Sequence, residues 1–342
     1  MGFVSGSAFA DDPYSVSDRY KSLALQGDLR QAKSLFDGLA PDTVPTSDIE
    51  LASRFQARFV EQSEDLSPGT DDSFTNAVVS AYRRYWTFTL MGDMSHQQDE
   101  DFLESSLHQF LSQQGKTELS NPSASVFELI GEIFDEKGVH YLDTPGPPLR
   151  DLFLWNKEEQ RNYSVRLTDR TQQVSVTFMS DIFSMGWKQF ATLGLVATTG
   201  WVEGGRLYCV AEAYNRSSES FKVSYLKHEG RHLADFERFP ELQSADLEYR
   251  AKLTELAFAF NSARQLLDDF TSKSAPNPVS PHAWANYRVT RDIYQEVFGK
   301  PFPESGDPWQ EINTQPVNRA ARELLRRDSE LLQSANWGQS KN

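Results

Sequence analysis

Apolar positions in the first third of the chain recur every three or four residues, which predicts helices throughout 14–115. Ile49, Leu51, Ala52, Phe55 and Phe59 form one such run, opened by Ser47-x-x-Glu50, the spacing of a capping box. Asp72-Ser-Phe-Thr opens a second, with Ala77, Val78, Ala81, Tyr82, Tyr85 and Trp86 along one side. That aromatic stripe reads as core. A third run spans Asp99 to Leu111 and is bounded by Gly115. The pattern changes after Pro145-Gly-Pro-Pro148. Val174, Val176 and Phe178 alternate with Ser175 and Thr177, which predicts a strand. Gly204-Gly205 reads as the turn between two β-like runs, Val196–Val202 and Leu207–Tyr214. Beyond residue 220 the helical period returns, interrupted at Ser274–Pro281, and ends in a helix over Val317–Leu332 with a polar tail.

These elements predict an α+β fold, mostly helical, with a small antiparallel sheet. Three parts are expected: a flexible N-terminus or signal-peptide remnant at 1–13, a helical domain at 14–120, and a second domain at 121–342. Polar residues 115–125, with Asn121-Pro122, read as the linker. Gly27–Phe36 followed by Pro41 resembles the second half of a tetratricopeptide repeat, but no further copy recurs at that repeat's period of roughly 34 residues.

Composition narrows the chemistry. The chain has 342 residues, a net charge of −15 and no Lys/Arg-rich block, which argues against nucleic acid as a partner. No apolar stretch is long enough to span a bilayer. Residues 1–10 carry no charge and end Ala8-Phe9-Ala10 before Asp11-Asp12-Pro13, a signal-peptidase-like pattern without the basic and apolar regions that should precede it. A periplasmic or secreted location is the expectation, with a cytoplasmic one as the alternative. The single cysteine, Cys209, excludes an internal disulfide and any thiol-based metal site. It falls in an alternating apolar run and reads as a small core residue. A metal site must therefore draw on the six histidines and the carboxylates.

Two of those histidines lie in His228-Glu229-Gly-Arg-His232, an H-E-x-x-H pattern within an apolar-periodic helix stopped by Pro240. Histidines at i and i+4 share one helix face and can hold one Zn²⁺. The Glu between them is placed to take a proton from water at the metal. A third ligand is expected on a returning helix. The first helix should run about six residues past His232, turn at Phe239–Gln243 with Ser244 as cap, and reach Glu248 about five residues later. At 1.5 Å per residue both legs are about 8–9 Å, which brings Glu248 level with His232. Glu255, seven residues on and nearer the level of His228, is the rival.

His228-Glu229-x-x-His232 followed by Glu248-Tyr249-Arg250-Ala251 resembles the gluzincin metallopeptidases, most closely the membrane heat-shock and prenyl-protein proteases, whose downstream motif is E-x-x-A-D. The match covers about 30 residues. It implies a zincin-like fold over the second domain, with His228, His232 and Glu248 on Zn²⁺ and Glu229 as general base. It also implies an antiparallel edge strand that holds extended peptide by strand addition, here Leu207–Tyr214 or Val196–Val202. Two features depart from that group. The membrane-spanning helices are absent, and Lys252 stands where the group has a ligand-orienting acid, a role that Glu255 or Asp235 would have to fill.

Transition-state stabilisers in such enzymes come from a His, Tyr or Arg further along the chain. His282, Tyr287 and Arg288 are the candidates, and His282 is taken as catalytic with Glu229. His96, His108 and His140 carry no assigned role. No phosphate-binding loop, dinucleotide fingerprint or G-x-S-x-G occurs. The expected activity is zinc-dependent hydrolysis of a peptide or protein substrate. The alternatives are a catalytically silent zinc-containing scaffold and an amidase acting on the cell envelope.

Overall fold

The computed structural model describes residues 15–40, 44–92, 96–115, 125–146, 148–203, 205–278, 280–310 and 312–339. The signal-like N-terminus and most of the expected linker lie outside them. The chain is mixed α+β and mostly helical. Among the described residues no helix is long and apolar enough to cross a membrane.

The chain divides into two units. Unit 1 comprises Met1–Glu158 and Met179–Thr199, and unit 2 comprises Glu159–Phe178 and Gly200–Asn342. The expected boundary at 120/121 is therefore displaced. The reason is packing: Val126, Ile130, Ile133 and Phe134 are buried in the same core as the helices before residue 115.

Unit 1 holds α1 (Val16–Leu25), α2 (Leu29–Asp37), α3 (Thr46–Phe55), α4 (Ser73–Met91), α5 (His96–Gln113), α6 (Val126–Glu136), β1 (His140–Thr144) and α7 (Gly186–Ala191). It shares β2 (Asp151–Arg166) and β3 (Thr171–Met185) with unit 2. The aromatic stripe of α4 is core as expected, with Tyr82, Tyr85 and Trp86 fully buried. Rings of Tyr20, Phe55, Phe59, Phe190 and Trp86 touch in succession at centroid separations of 5.2–5.8 Å. Tilted and edge-on pairs of this kind stabilise beyond their buried area. Buried polar ends find partners: Tyr20 donates to the Ala191 carbonyl and Trp86 Nε1 to that of Arg150.

One cap in unit 1 differs from the sequence reading. The α3 N-cap is Pro45, with no side-chain cap, so Ser47 and Glu50 lie within the helix and form no capping box. A complete capping box does open α6, where Ser125 and Glu128 bond each other's backbone. Asp72 caps α4 as its sequence suggests.

Unit 2 adds β4 (Gly200–Glu203), β5 (Arg206–Val210), a π-helical turn at Ser220–Tyr225, α8 (Leu226–Arg238), α9 (Ser244–Phe258), α10 (Ala263–Ser272), α11 (Pro281–Phe298) and α12 (Thr314–Gln339). The strands form one sheet ordered β1-β2-β3-β5-β4, with β4 antiparallel to β5 and Trp201 opposite Tyr208. Both strands of this hairpin are shorter than their apolar runs. Val196 cannot enter β4 because its N–H donates to Thr192 Oγ1 at the end of α7. After Val210 the backbone turns into a 3-10 segment, Ala211–Ala213. The last helix is also longer than expected, starting at Thr314 and running to Gln339.

One core of unit 2 lies among α9–α12, around Leu253, Leu256, Val289, Ile293 and Trp309. A second lies between the strands and α8, around Val165, Val174, Val176, Leu207, Cys209 and Tyr225. Cys209 is fully buried there, and burial pushes its thiol up to about 11, which suits a packing role. Glu219 bridges back to the start of α10. Its carboxylate accepts from the backbone N–H groups of Phe260, Asn261 and Ser262 and from the Ser262 hydroxyl.

Candidate metal centre

The H-E-x-x-H segment lies on α8, with the three-dimensional context its period suggests. Gly230 has a specific cause. A Cβ there would come within 3.3 Å of Val165 Cγ1 and 3.6 Å of Val174 Cγ2. Its absence lets the back of α8 press onto β2 and β3, and aims the opposite face, with His228 and His232, at α9.

The turn after α8 falls where the spacing places it, but α9 begins at Ser244 itself, with Gln243 rather than Ser244 at the N-cap and no side-chain cap. Every residue from Leu247 to Ala257 is buried, including Glu248, Arg250, Lys252 and Glu255. A helix with four charges in the interior is uncommon, because buried charges must be paired or bind ions.

One of those charges, Arg250, helps hold α8 and α9 in register. Asp235, with no exposed surface, accepts from Arg250 Nε at 2.7 Å and Nη2 at 3.1 Å, and from Arg231 Nη1 at 3.3 Å. Arg250 continues to Asp328 and Ser329, and Arg231 to Asp169, Thr168 and Thr254. Asp235 sits three residues after His232 and Arg250 two after Glu248. The clamp therefore lies one helical turn or less from the site on both helices.

Within that frame three donors converge. His228 Nε2 and His232 Nε2 are 3.1 Å apart. Glu248 Oε1 is 3.3 Å from His232 Nε2, and Oε2 is 3.7 Å from His228 Nε2. A tetrahedral ion with ligand bonds near 2.0–2.1 Å needs ligand atoms about 3.3–3.4 Å apart. The 3.1 and 3.3 Å edges lie near that value, the His228 distance runs to the other Glu248 oxygen, and one ligand atom from each residue falls within 4.8 Å of the others. Two imidazoles and a carboxylate are also a donor set that zinc accepts. His232 Nδ1 and Glu248 Oε2 are buried without a hydrogen bond of good geometry.

Glu255, the rival ligand, faces the other nitrogen of His228. Its Oε1 is 2.7 Å from His228 Nδ1. A carboxylate there fixes the ring and presents Nε2 to the site. Glu255 thus takes the orienting position that Lys252 cannot fill, one turn further along α9. Asp235, the other substitute considered, is committed to the arginines. Burial disfavours a charged His228, but the Glu255, Glu229 and Glu248 carboxylates together outweigh it and raise the imidazole's affinity for a proton. Burial likewise opposes a charged Glu248. His232, His282, His228 and Lys252 together reverse that and hold its carboxyl far below the usual range.

Glu229 is half-buried and, among the described residues, has no hydrogen bond or ion pair. Its charge is felt by Tyr225 and His228. His282, in the first turn of α11, brings Nδ1 to 3.0 Å from Glu248 Oε2 while its side chain is 73% exposed. Tyr287 and Arg288 are used elsewhere: Tyr287 stacks on Trp284, and Arg288 pairs with Asp246 over the Tyr249 ring. His140 stacks on Trp155, and exposed His108 lies 3.8 Å from Glu104. The side chain of His96 lies outside the described residues.

Beyond the expected residues, the structure adds Lys252, whose ammonium is 3.4 Å from Glu248 Oε2. Its signal was present in the sequence: Glu248, Lys252 and Glu255 fall at i, i+4 and i+7 and so share one face. Compared with known protein families, curated proteins and solved structures, the chain matches none.

Proposed function

We propose that this chain is a zinc-dependent metallohydrolase with a zincin-like unit 2, acting on a peptide or protein amide. The observation that carries the reading is the convergence of His228 Nε2, His232 Nε2 and the Glu248 carboxylate, with nearest separations of 3.1–3.7 Å, beside the uncommitted carboxylate of Glu229. His228, His232 and Glu248 would hold the ion. A zinc ion so held acts as a Lewis acid toward a scissile carbonyl and makes a nearby water more acidic.

The chain's own groups supply the proton chemistry. Glu229 accepts a proton from the attacking water and delivers it to the leaving amine, the two-step use of one carboxylate in general acid–base catalysis. Glu255 keeps His228 in the orientation that faces the site. His282, exposed and next to Glu248, is placed to donate to the oxygen that gains charge as the carbonyl is attacked. Among the described residues β4 is the terminal strand of the sheet, beside β5, and its outer edge is where an extended substrate strand would add.

Glu229→Gln tests this directly. The variant should bind zinc as the wild type does and lose at least about 100-fold in cleavage of a peptide library, the usual scale for removing a general base. Zinc binding without cleavage by the wild type would favour a structural zinc site in a scaffold protein. Equal turnover by wild type and Glu229→Gln would remove Glu229 from the mechanism.

A further inference from the structure

The environment of Glu248 is asymmetric. Its Oε1 is 3.3 Å from His232 Nε2, while its Oε2, 3.7 Å from His228 Nε2, lies closer to two cationic groups, Lys252 Nζ at 3.4 Å and His282 Nδ1 at 3.0 Å. These two neighbours differ in exposure. His282 is mostly in solvent, where water competes for it. Lys252 is 8% exposed, with its ammonium 5.0 Å from the Phe270 ring centroid and Glu248 as its one carboxylate within 4 Å among the described residues.

Burying an ammonium is unfavourable unless an anion compensates it. An apolar residue of the same length would fill this space without that cost. The charge therefore has to be explained by what it does to Glu248. We propose that Lys252 is a positioning residue that engages the outer oxygen of Glu248, so that this carboxylate serves a metal ion through Oε1 alone. The inference rests on the metal-centre reading above.

The consequence is chemical. A carboxylate can offer a metal one oxygen or two. With Oε2 drawn electrostatically toward the Lys252 ammonium, Glu248 would contribute a single bond, and a site of two imidazoles and one oxygen leaves a position open for water and substrate. Without the lysine, Oε2 is free to turn inward, raise the coordination number and crowd that position. The substitution of Lys for the acid of the resembled motif then has a physical role. Orientation of the histidine passes to Glu255, and position 252 controls the denticity of the third ligand.

Cobalt(II) provides the readout, because its visible absorption is intense when four-coordinate and much weaker at five or six. Cobalt(II) chloride would be titrated into the full chain, stripped of metal, for the wild type, Lys252→Met, Lys252→Gln and Lys252→Arg. Zinc affinity would be measured in parallel by chelator competition. The wild type should give the intense spectrum with one equivalent bound. Lys252→Met and Lys252→Gln should bind the same equivalent with a severalfold weaker band and a zinc affinity changed by about tenfold or more, the scale of outer-shell effects. Lys252→Arg should restore the intense band. Melting curves show which variants are folded, and any one neutral variant that folds suffices. A wild-type spectrum and affinity in a folded neutral variant overturns the role of Lys252 alone. A wild type that takes up neither cobalt nor zinc overturns the metal centre, and this inference with it.

Discussion

Asp235→Asn is the most demanding perturbation of the frame around the site. The substitution keeps volume and removes one negative charge from beneath two guanidiniums that are 0% and 1% exposed. Three carboxylates, Asp169, Asp235 and Asp328, balance three arginines, Arg231, Arg238 and Arg250, so the variant leaves one buried positive charge in excess. It also replaces an acceptor oxygen with an N–H group that faces other donors. Breaking a buried ion pair by neutralising one partner costs about 3–5 kcal/mol. The upper part of that range is expected here, since three hydrogen bonds from two arginines end on this carboxylate. For a folded unit of this size each kcal/mol lowers Tm by roughly 2–4 °C, which gives a drop of roughly 6–20 °C. Urea denaturation, followed by circular dichroism and by fluorescence of the tryptophans, Trp309 of unit 2 among them, gives the free energy. A paired variant, Asp235→Leu with Arg250→Met, should recover much of the loss, because it removes both charges of the closest pair. A loss below about 1 kcal/mol in Asp235→Asn would refute the clamp, since that is the range of an ordinary surface change.

Two further outcomes follow from single carboxylates. Glu255→Gln should weaken zinc binding about 10- to 100-fold, measured by chelator competition, because His228 loses the group that orients it; unchanged affinity would place Glu255 outside the site's function. Glu219→Gln should cost about 1–2 kcal/mol at neutral pH, allowing for the carboxylate's partial exposure. Burial raises the affinity of Glu219 for a proton, but the Asn261, Phe260 and Ser262 donors outweigh it and hold its pKa at about 2 against the ordinary 4.5. Because the folded state lowers this pKa, the stabilisation is present above 4.5 and lost as pH falls from 4.5 toward 2. The wild-type advantage over the variant should shrink across that window, and a constant gap would contradict the assignment.

The proximity of His228, His232 and Glu248 was more legible than the fold that carries them. Its helices obey a 3.6-residue period on both sides of a short turn, so spacing alone brings Glu248 level with His232. Choosing between Glu248 and Glu255 was beyond that argument. Both lie on one face of α9, and only the edge of the His228 ring that each meets separates the proposed ligand from the proposed orienting group. Lys252 read as a departure from a motif, because a sequence does not show which oxygen a buried ammonium faces. The long strand β2 went unrecognised for a different reason. Residues 156–162 are exposed on both faces, so the run lacks the alternation that marks a half-buried strand. The α4 stripe was readable because its aromatic side is fully buried. The boundary at 120 was misplaced because α6 packs back into the first core, a long-range contact with no local signature.

The central claim is that His228, His232 and Glu248 form one metal site, and metal stoichiometry tests it most directly. Purified chain incubated with zinc and dialysed against metal-free buffer should retain one equivalent by elemental analysis. Folded His228→Ala, His232→Ala and Glu248→Ala variants should each retain far less. Wild-type protein that keeps no zinc, or a full equivalent retained by all three variants, would contradict it.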